Sequence, residues 1–560
     1  MTWSLKDWIS QKAALGASAS RDKEPGARFP FLLLATVSVS AALVLGCGGG
    51  VTRLVPTAAE AKCQDLAHRA FSGAKLLKVS HHPASTFTTP SNAAIPNVPA
   101  FCQVSASLQP SADSDIRVEV WLPAEGWNGK YLGLGNGGYG GSLNYSALSQ
   151  GLARKYAVAH TDMGTAPSTS RDGSPLLNHP EKWVDWGYRS THLMTLFAKE
   201  VSSMYYARVP SKSYFMGCST GGGQGIHEAV RFPDDYDGII AGAPGSNRLG
   251  AHQSVLWSWA SSKASPESAL PAAKLTLLAD SVMAACDSLD GVSDKIISRP
   301  ERCTFNPKVL QCSGADDASC LTTSQVSTVN AIYAGPRNRL TGELIFQGPL
   351  PGSEASWGMY VGAAPPEALV PFGAIFHWVF GKEWDWRTFD WGQDVITMER
   401  TIGQMVSAVN PDVRAFRDRG GKLISFQGLA DSLKPPNDME RYLHNVEVVT
   451  GQSSSFVRLF NAPGMGHCSG GSAPNAFGND LTSGSVAPGD PTRDLLTALE
   501  HWVEKGVAPD RIVATQFSGS DLSTRTIVRT RPLCAAPKIA RYNGSGDTNI
   551  ESSFTCSAAD

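Results

Sequence analysis

Short apolar runs punctuated by glycine recur along this chain, and amphipathic stretches with helical spacing lie between them. Residues 116–122, Ile-Arg-Val-Glu-Val-Trp-Leu, alternate with a period of two and predict an antiparallel strand with one solvated face. Residues 130–134, 156–160, 214–216, 236–244, 422–428 and 456–460 also read as strands, most of them apolar enough to be buried on both faces. Between them, residues 190–206 carry Leu193, Leu196, Phe197, Val201 and Met204 at helical spacing. Residues 223–231 form a helix directly after a strand, and residues 492–505 place Leu495, Leu496, Leu499 and Trp502 on one helical face. Strands that alternate with helices predict an α/β chain built on a doubly wound, mostly parallel sheet.

From about residue 250 to 410 this rhythm stops, and Trp, Pro, Gly and Cys become frequent. The segment reads as a large inserted lid domain that interrupts the core. The core's first part is then 63–249 and its second part 411–560. Trp357, Trp378, Trp384, Trp386 and Trp391 are candidates to line an aromatic pocket, with packing in the lid's own core the equal alternative. A chain of 560 residues is long for a single core, so a core with an insertion suits its length.

The termini add a destination. Arg21, Lys23 and Arg28 precede the apolar run 29–45, and Val44-Leu45-Gly46-Cys47-Gly48 follows. Residues 1–47 therefore read as a signal peptide of lipoprotein type, with Cys47 the candidate for lipidation. Residues 48–62 read as a Gly/Ala-rich tether; an ordinary signal peptide cut after Ala59-Glu60-Ala61 is the alternative. Either way the chain is expected to be exported from a bacterium, as a secreted, periplasmic or outer-membrane protein. No other stretch reads as a membrane span, so any membrane contact is expected through the N-terminal anchor alone. Eleven cysteines agree with an oxidising compartment, and setting Cys47 aside leaves an even number. A formal charge of −2 with 18% charged residues excludes a broad basic surface for nucleic acid.

The chemistry centres on Gly217-Cys218-Ser219-Thr220-Gly221-Gly222, which follows the apolar Tyr214-Phe215-Met216. A strand that ends in G-x-S-x-G and runs into a helix is the nucleophile elbow of α/β-hydrolases, so the α/β-hydrolase fold is expected. Far downstream lies Gly464-Met465-Gly466-His467-Cys468, where a histidine has a cysteine beside it as Ser219 does. A serine hydroxyl needs a histidine to take its proton and a carboxylate to hold that histidine. Ser219, Asp431 and His467 stand in the chain order these hydrolases use, each just after a predicted strand. Asp438, His444, His501, His81, His82 and His252 lack that context. The glycine-rich loop 135–141 follows an early strand, where backbone N–H groups form an oxyanion hole; no phosphate-loop pattern accompanies it.

Cys218-Ser219, Asp431 and His467-Cys468 resemble the CS-D-HC motif of the tannase and feruloyl esterase family, which includes hydrolases of mono(2-hydroxyethyl) terephthalate. Ser213–Ser219 with Arg231-Phe232-Pro233, residues 236–244, Thr530-Arg531-Pro532-Leu533-Cys534 and Ile539-Ala540-Arg541-Tyr542 also match, so the resemblance spans nearly the whole mature chain. It implies ester hydrolysis through an acyl-enzyme: Ser219 as nucleophile, His467 as base and acid, Asp431 as orienter, and the N–H groups of Gly138 and Thr220 as oxyanion donors. It also implies a Cys218–Cys468 disulfide. With proximity it pairs Cys63–Cys102, Cys286–Cys303, Cys312–Cys320 and Cys534–Cys556.

On its residues alone the stretch around Gly291 is a solvated acidic loop without the EF-hand pattern. The resemblance implies a structural calcium ion there, held by Asp287, Asp290, Val292, Asp294 and Ile296, with no cofactor for catalysis. The expected partner is a small aromatic ester, hydroxycinnamoyl or galloyl. The lid shows no counterpart of the arginine that reads a terephthalate carboxylate near 372–380, Gln427 replaces a histidine, and Arg387 is the one substitute in view. The remaining alternatives are a terephthalate half-ester hydrolase and a catalytically inactive, ligand-binding relative.

Overall fold

In a computed structural model, nine strands gather into one mixed sheet. The structure describes residues 57–559 except 363, 452, 483–486, 520, 522 and 523. The export segment, Cys47 and most of the expected tether therefore lie outside the described residues. The end of that tether is not a tether. Ala58–Leu66 is a helix (α1) whose first turn is capped by Thr57 and whose Cys63 is bonded to Cys102.

The strands are β1 (Ala74–His82), β2 (Phe101–Leu108), β3 (Ile116–Pro123), β4 (Lys130–Leu134), β5 (Ala157–Thr161), β6 (Lys212–Cys218), β7 (Gly238–Gly242), β8 (Lys422–Gly428) and β9 (Val457–Ala462). Their order across the sheet is β1-β2-β3-β5-β4-β6-β7-β8-β9. β1, β2, β3 and β5 pair antiparallel, and from β5 through β9 every pairing is parallel. Successive residues feed opposite faces, and both faces are buried. Phe215, Ile239, Leu423 and Leu459 pack on one side; Tyr214, Met216, Ile240, Phe426 and Phe460 pack on the other.

The first face is covered by α3 (Ser190–Tyr206), α4 (Thr220–Arg231) and α6 (Pro436–Thr450). The second is covered by α2 (Tyr145–Ala153) and α7 (Leu495–Lys505), the latter through Leu495, Leu496, Leu499 and Trp502 as expected. The expected face of α3 is rotated. Leu196 and Met204 are exposed, while Met194, Ala198, Val201 and Tyr205 are buried with Thr191 and Ser202. Small residues let this helix approach the sheet more closely than a leucine stripe would.

β3 also departs from expectation. Only Arg117 on it is solvated; Glu119 is buried and accepts hydrogen bonds from Gln103, Ser105, Trp121 and Tyr145. A charge at a strand's period-two polar position is thus consistent with a fully covered strand when enough donors surround it.

Between β7 and β8 the chain leaves the sheet and adds no strand to it. It begins with α5 (Arg248–Ser262) and continues through helices Ala272–Cys286, Thr323–Ala334 and Ala374–Phe380. Residues 266–290 are apolar and long enough by composition to cross a membrane, which the sequence alone did not single out. Here they bury Leu275, Leu278 and Val282 in the insertion's own core, and Cys286 is bonded to Cys303. A second cluster joins the insertion to the core: Tyr139, Met163, Trp183 and Trp186 pack with Leu256, Phe376 and Trp378. The C-terminal strands Ile527–Cys534, Lys538–Tyr542 and Phe554–Ala558 are closed by Cys534–Cys556.

Candidate active site

Ser219 occupies the turn between β6 and α4 at φ 62° and ψ −117°, a conformation that a non-glycine residue holds only when its surroundings impose it. Close packing imposes it. A Cβ on Gly217 would lie 2.7 Å from the Gly221 carbonyl carbon, so only glycine fits. The Ser219 N–H donates to Gly242 at 3.0 Å, and its carbonyl accepts from Gly223 and Gly245 at 3.0 and 3.1 Å. Both sides of the turn are thereby pinned, and the hydroxyl stands at the carboxyl edge of the sheet, lining the cavity.

His467 bridges from there to Asp431. Its Nε2 lies 2.8 Å from Ser219 Oγ and its Nδ1 lies 2.8 Å from Asp431 Oδ2. Asp431 is fully buried just after β8. Its Oδ1 accepts from the N–H groups of Leu433 and Lys434, both at 2.9 Å, and its Oδ2 also accepts from Gln427 Nε2 at 3.1 Å. A carboxylate held by four donors fixes the proton of His467 on Nδ1 and leaves Nε2 to accept from the serine hydroxyl. Gln427, which also donates to the Lys434 carbonyl at 2.6 Å, braces the aspartate turn. The competing Asp438 is engaged with Arg441.

The Cys218–Cys468 disulfide joins the residue before Ser219 to the residue after His467, with Cα atoms 5.9 Å apart. The other four pairings implied by the resemblance are present as well.

The two residues expected to supply oxyanion donors are Gly138 and Thr220. Neither Gly138 N–H nor Thr220 N–H donates to another described residue, and both residues line the same cavity as Ser219. Gly138 sits at φ +54°, and a Cβ there would fall 1.7 Å from the Ser170 carbonyl oxygen. The Thr220 hydroxyl donates to the Gly138 carbonyl at 2.8 Å, and Trp186 Nε1 donates to the same oxygen at 3.1 Å.

The cavity holds about 460 Å³ and is mainly apolar near Met216, Val255, Met359, Phe372 and Leu433. None of the five insertion tryptophans lines it. Trp357 is fully buried in the insertion's core, and Trp378, Trp384, Trp386 and Trp391 pack into the cluster at the insertion–core junction, Trp378 against Trp183 and Trp186, Trp384 against Phe376 and Trp391 against Trp257. Arg387 does not reach the cavity either; it pairs with Asp385 and Glu367. The cations in the wall are Arg171, Arg248 and Lys434. His252, passed over in the sequence, also lines it. Its Nδ1–H donates to the Phe372 carbonyl at 2.9 Å, and burial with the nearby Lys434 pushes its pKa down to about 3, so the ring is neutral.

In the acidic loop, Asp290 Oδ1 accepts from the Val292 N–H, and Asp287 and Asp294 both accept from the Ile296 N–H at 3.0 and 3.2 Å. Asp294 also pairs with Arg531 at 2.5 Å. Burial and the adjacent Asp294 push the Asp290 carboxyl above its usual range. The three carboxylates do not close to within 4.8 Å of one another. The donor set, oxygen only, fits a hard divalent cation.

A serine held in a strained strand-to-helix turn, a histidine and a buried aspartate in that chain order, and a parallel sheet wound on both faces define an α/β-hydrolase. The match to the family model described as tannase and feruloyl esterase covers residues 102–371 and 381–557. The chain belongs to that family and is a carboxylic ester hydrolase. It is 36% identical over 536 residues to an uncharacterized esterase of Xanthomonas campestris pv. campestris, covering 90% of this chain and 92% of that one. It is 32% identical to mono(2-hydroxyethyl) terephthalate hydrolase of Piscinibacter sakaiensis, covering 84% and 87%. The crystal structure of feruloyl esterase B from Aspergillus oryzae superposes with a TM-score of 0.82 at 28% identity, covering 89% of this chain and all of that one.

Proposed function

We propose that the protein is an exported serine esterase that cleaves aromatic carboxylic esters, of feruloyl esterase or tannase type, through an acyl-enzyme. One observation carries the reading: an unbroken Asp431–His467–Ser219 chain opens onto an apolar cavity lined also by Gly138 and Thr220, whose N–H groups have no acceptor among the described residues. Ser219 Oγ attacks the ester carbonyl as its proton passes to His467 Nε2, and Asp431 holds the imidazolium that results. The carbonyl oxygen, now anionic, takes the N–H groups of Gly138 and Thr220. His467 returns the proton to the departing alkoxide, and the alcohol leaves. Water then attacks the acyl-enzyme with His467 as base, releasing the acid and restoring Ser219.

The apolar wall at Val255, Met359 and Phe372 suits an aromatic acyl group and makes the insertion the lid of the site. A terephthalate half-ester is the second reading, favoured by the cations at Arg171, Arg248 and Lys434. Five disulfides support export, and lipidation of Cys47 would tether the enzyme to a membrane. Calcium held by Asp287, Asp290, Asp294 and the carbonyls of Val292 and Ile296 would order the insertion, with no part in the chemistry.

The test is hydrolysis of methyl ferulate, methyl gallate and mono(2-hydroxyethyl) terephthalate by the mature protein and its Ser219→Ala variant. Serine-dependent turnover of a phenolic ester supports the reading. Preference for the terephthalate ester selects the second. No turnover of any of them leaves a ligand-binding relative.

A further inference from the structure

None of the three cations in the cavity wall pairs with a carboxylate among the described residues; Arg171 is exposed, whereas Arg248 is buried and Lys434 half-buried. Arg248, at the start of α5, is 2% exposed. It donates to the Trp186 and Thr220 carbonyls at 3.3 and 3.5 Å, its Nε has no acceptor, and its guanidinium lies 4.1 Å over the Trp186 ring. Lys434 follows the catalytic-site aspartate by three residues. Its ammonium donates no hydrogen bond to another described residue and lies 3.3 Å from where a Cβ on Gly245 would stand, a point 3.6 Å from the Ser219 carbonyl oxygen. Neither side chain takes part in an ion pair between described residues. The carboxylates nearest Lys434 are committed elsewhere, Asp431 to His467 and Asp438 to Arg441.

Buried charges are ordinarily paired, because desolvating a lone cation costs far more than a surface position would. Here burial and the nearby Arg248 push the ammonium of the half-buried Lys434 down to about 8, and burial lowers Arg248 to about 9. Such an arrangement is costly unless a ligand completes it.

We infer that Arg248 and Lys434 form a subsite for an anionic oxygen on the aromatic ring of the substrate, a carboxylate or an ionised phenol. This deepens the esterase reading and rests on it for the place of the reacting carbonyl. An ester bound with its carbonyl at Ser219 presents its ring to the same wall, and an anion there replaces the missing counter-charge. The expected substrates are therefore aromatic esters with an acidic ring substituent, and esters without one are poor substrates. The subsite comes from the start of α5 and from the aspartate turn.

The experiment compares matched esters: monomethyl against dimethyl terephthalate, and methyl ferulate against methyl cinnamate. Each is assayed with wild type, Lys434→Gln and Lys434→Arg, all checked for an unchanged melting profile. A charge-assisted hydrogen bond lost to Gln predicts that the anionic-to-neutral ratio of kcat/KM falls about ten- to a hundredfold. Lys434→Arg keeps most of that ratio. A fall in the terephthalate pair identifies a carboxylate, and a fall in the ferulate pair a phenolate. An unchanged ratio in both pairs overturns the inference. If wild type turns over no ester, the esterase reading fails, and calorimetric titration of Ser219→Ala with terephthalate decides the subsite separately. Binding at least tenfold weaker with Lys434→Gln added supports it, and equal binding overturns it.

Discussion

The Thr220 hydroxyl donates to the carbonyl of Gly138 at 2.8 Å, so one hydrogen bond ties together the two residues whose N–H groups are the proposed oxyanion donors. Thr220→Val keeps the shape and removes that tie. A net hydrogen bond of this kind is worth about 0.5–1.5 kcal/mol, so kcat is expected to fall about two- to tenfold with little change in KM. Steady-state kinetics on one aromatic ester checks this.

Gly138→Ala should be far more damaging. Its Cβ would overlap the Ser170 carbonyl oxygen and must displace the loop that carries the donor. Loss of one oxyanion donor costs about 10²–10³ in kcat, and the variant is expected in that range with substrate binding largely kept.

The Cys218–Cys468 bridge closes a loop of 250 residues. Chain entropy assigns such a crosslink about 5 kcal/mol. The Cys218→Ser/Cys468→Ser double variant is expected to melt well below wild type, and to lose more activity than the Cys312→Ser/Cys320→Ser pair, whose loop spans 8 residues away from the site. Equal activity losses would contradict a role in holding nucleophile and base together.

Lys434 gives a stability prediction with a definite sign. Burial and then Arg248 lower its pKa to about 8 from 10.5, while Asp438 and Asp431 oppose them; His252, near it, is neutral throughout this range. Between about pH 8 and 10.5 the unfolded chain holds the extra proton, so this group's contribution makes the fold more stable as pH rises. Below pH 8 the penalty is fully present. Lys434→Met is therefore expected to melt above wild type at pH 7, with the gap shrinking as pH rises towards 10.5. A gap that is constant or widens with pH would show that the ammonium carries no burial penalty.

Much of this was legible in the sequence because the residues concerned answer to local rules. The strand at Lys422–Gly428 and the helix at Ser190–Tyr206 fall where the apolar spacing places them, and Gly217 and Gly221 announce the elbow. What was not legible depends on neighbours distant in sequence. Which face of Ser190–Tyr206 is buried depends on how closely Thr191, Ala198 and Ser202 let it approach the sheet. Glu119 is buried because Gln103, Ser105, Trp121 and Tyr145 converge on it. The insertion tryptophans pack because other rings meet them, Trp378 against Trp183 and Trp186, Trp384 against Phe376 and Trp391 against Trp257, and the cations Arg248 and Lys434 come from α5 and the aspartate turn, outside the segment where an arginine was sought. No spacing rule joins Arg248 to Lys434.

The most direct test of the central claim is to trap the intermediate. The wild-type protein and its Ser219→Ala variant are mixed with methyl ferulate, quenched in acid within the first turnover, digested and weighed by mass spectrometry. A feruloyl group on the wild-type peptide that contains Ser219, absent from the variant together with turnover, is the predicted result. Turnover that persists in Ser219→Ala, or an acyl group on another residue, would contradict the account.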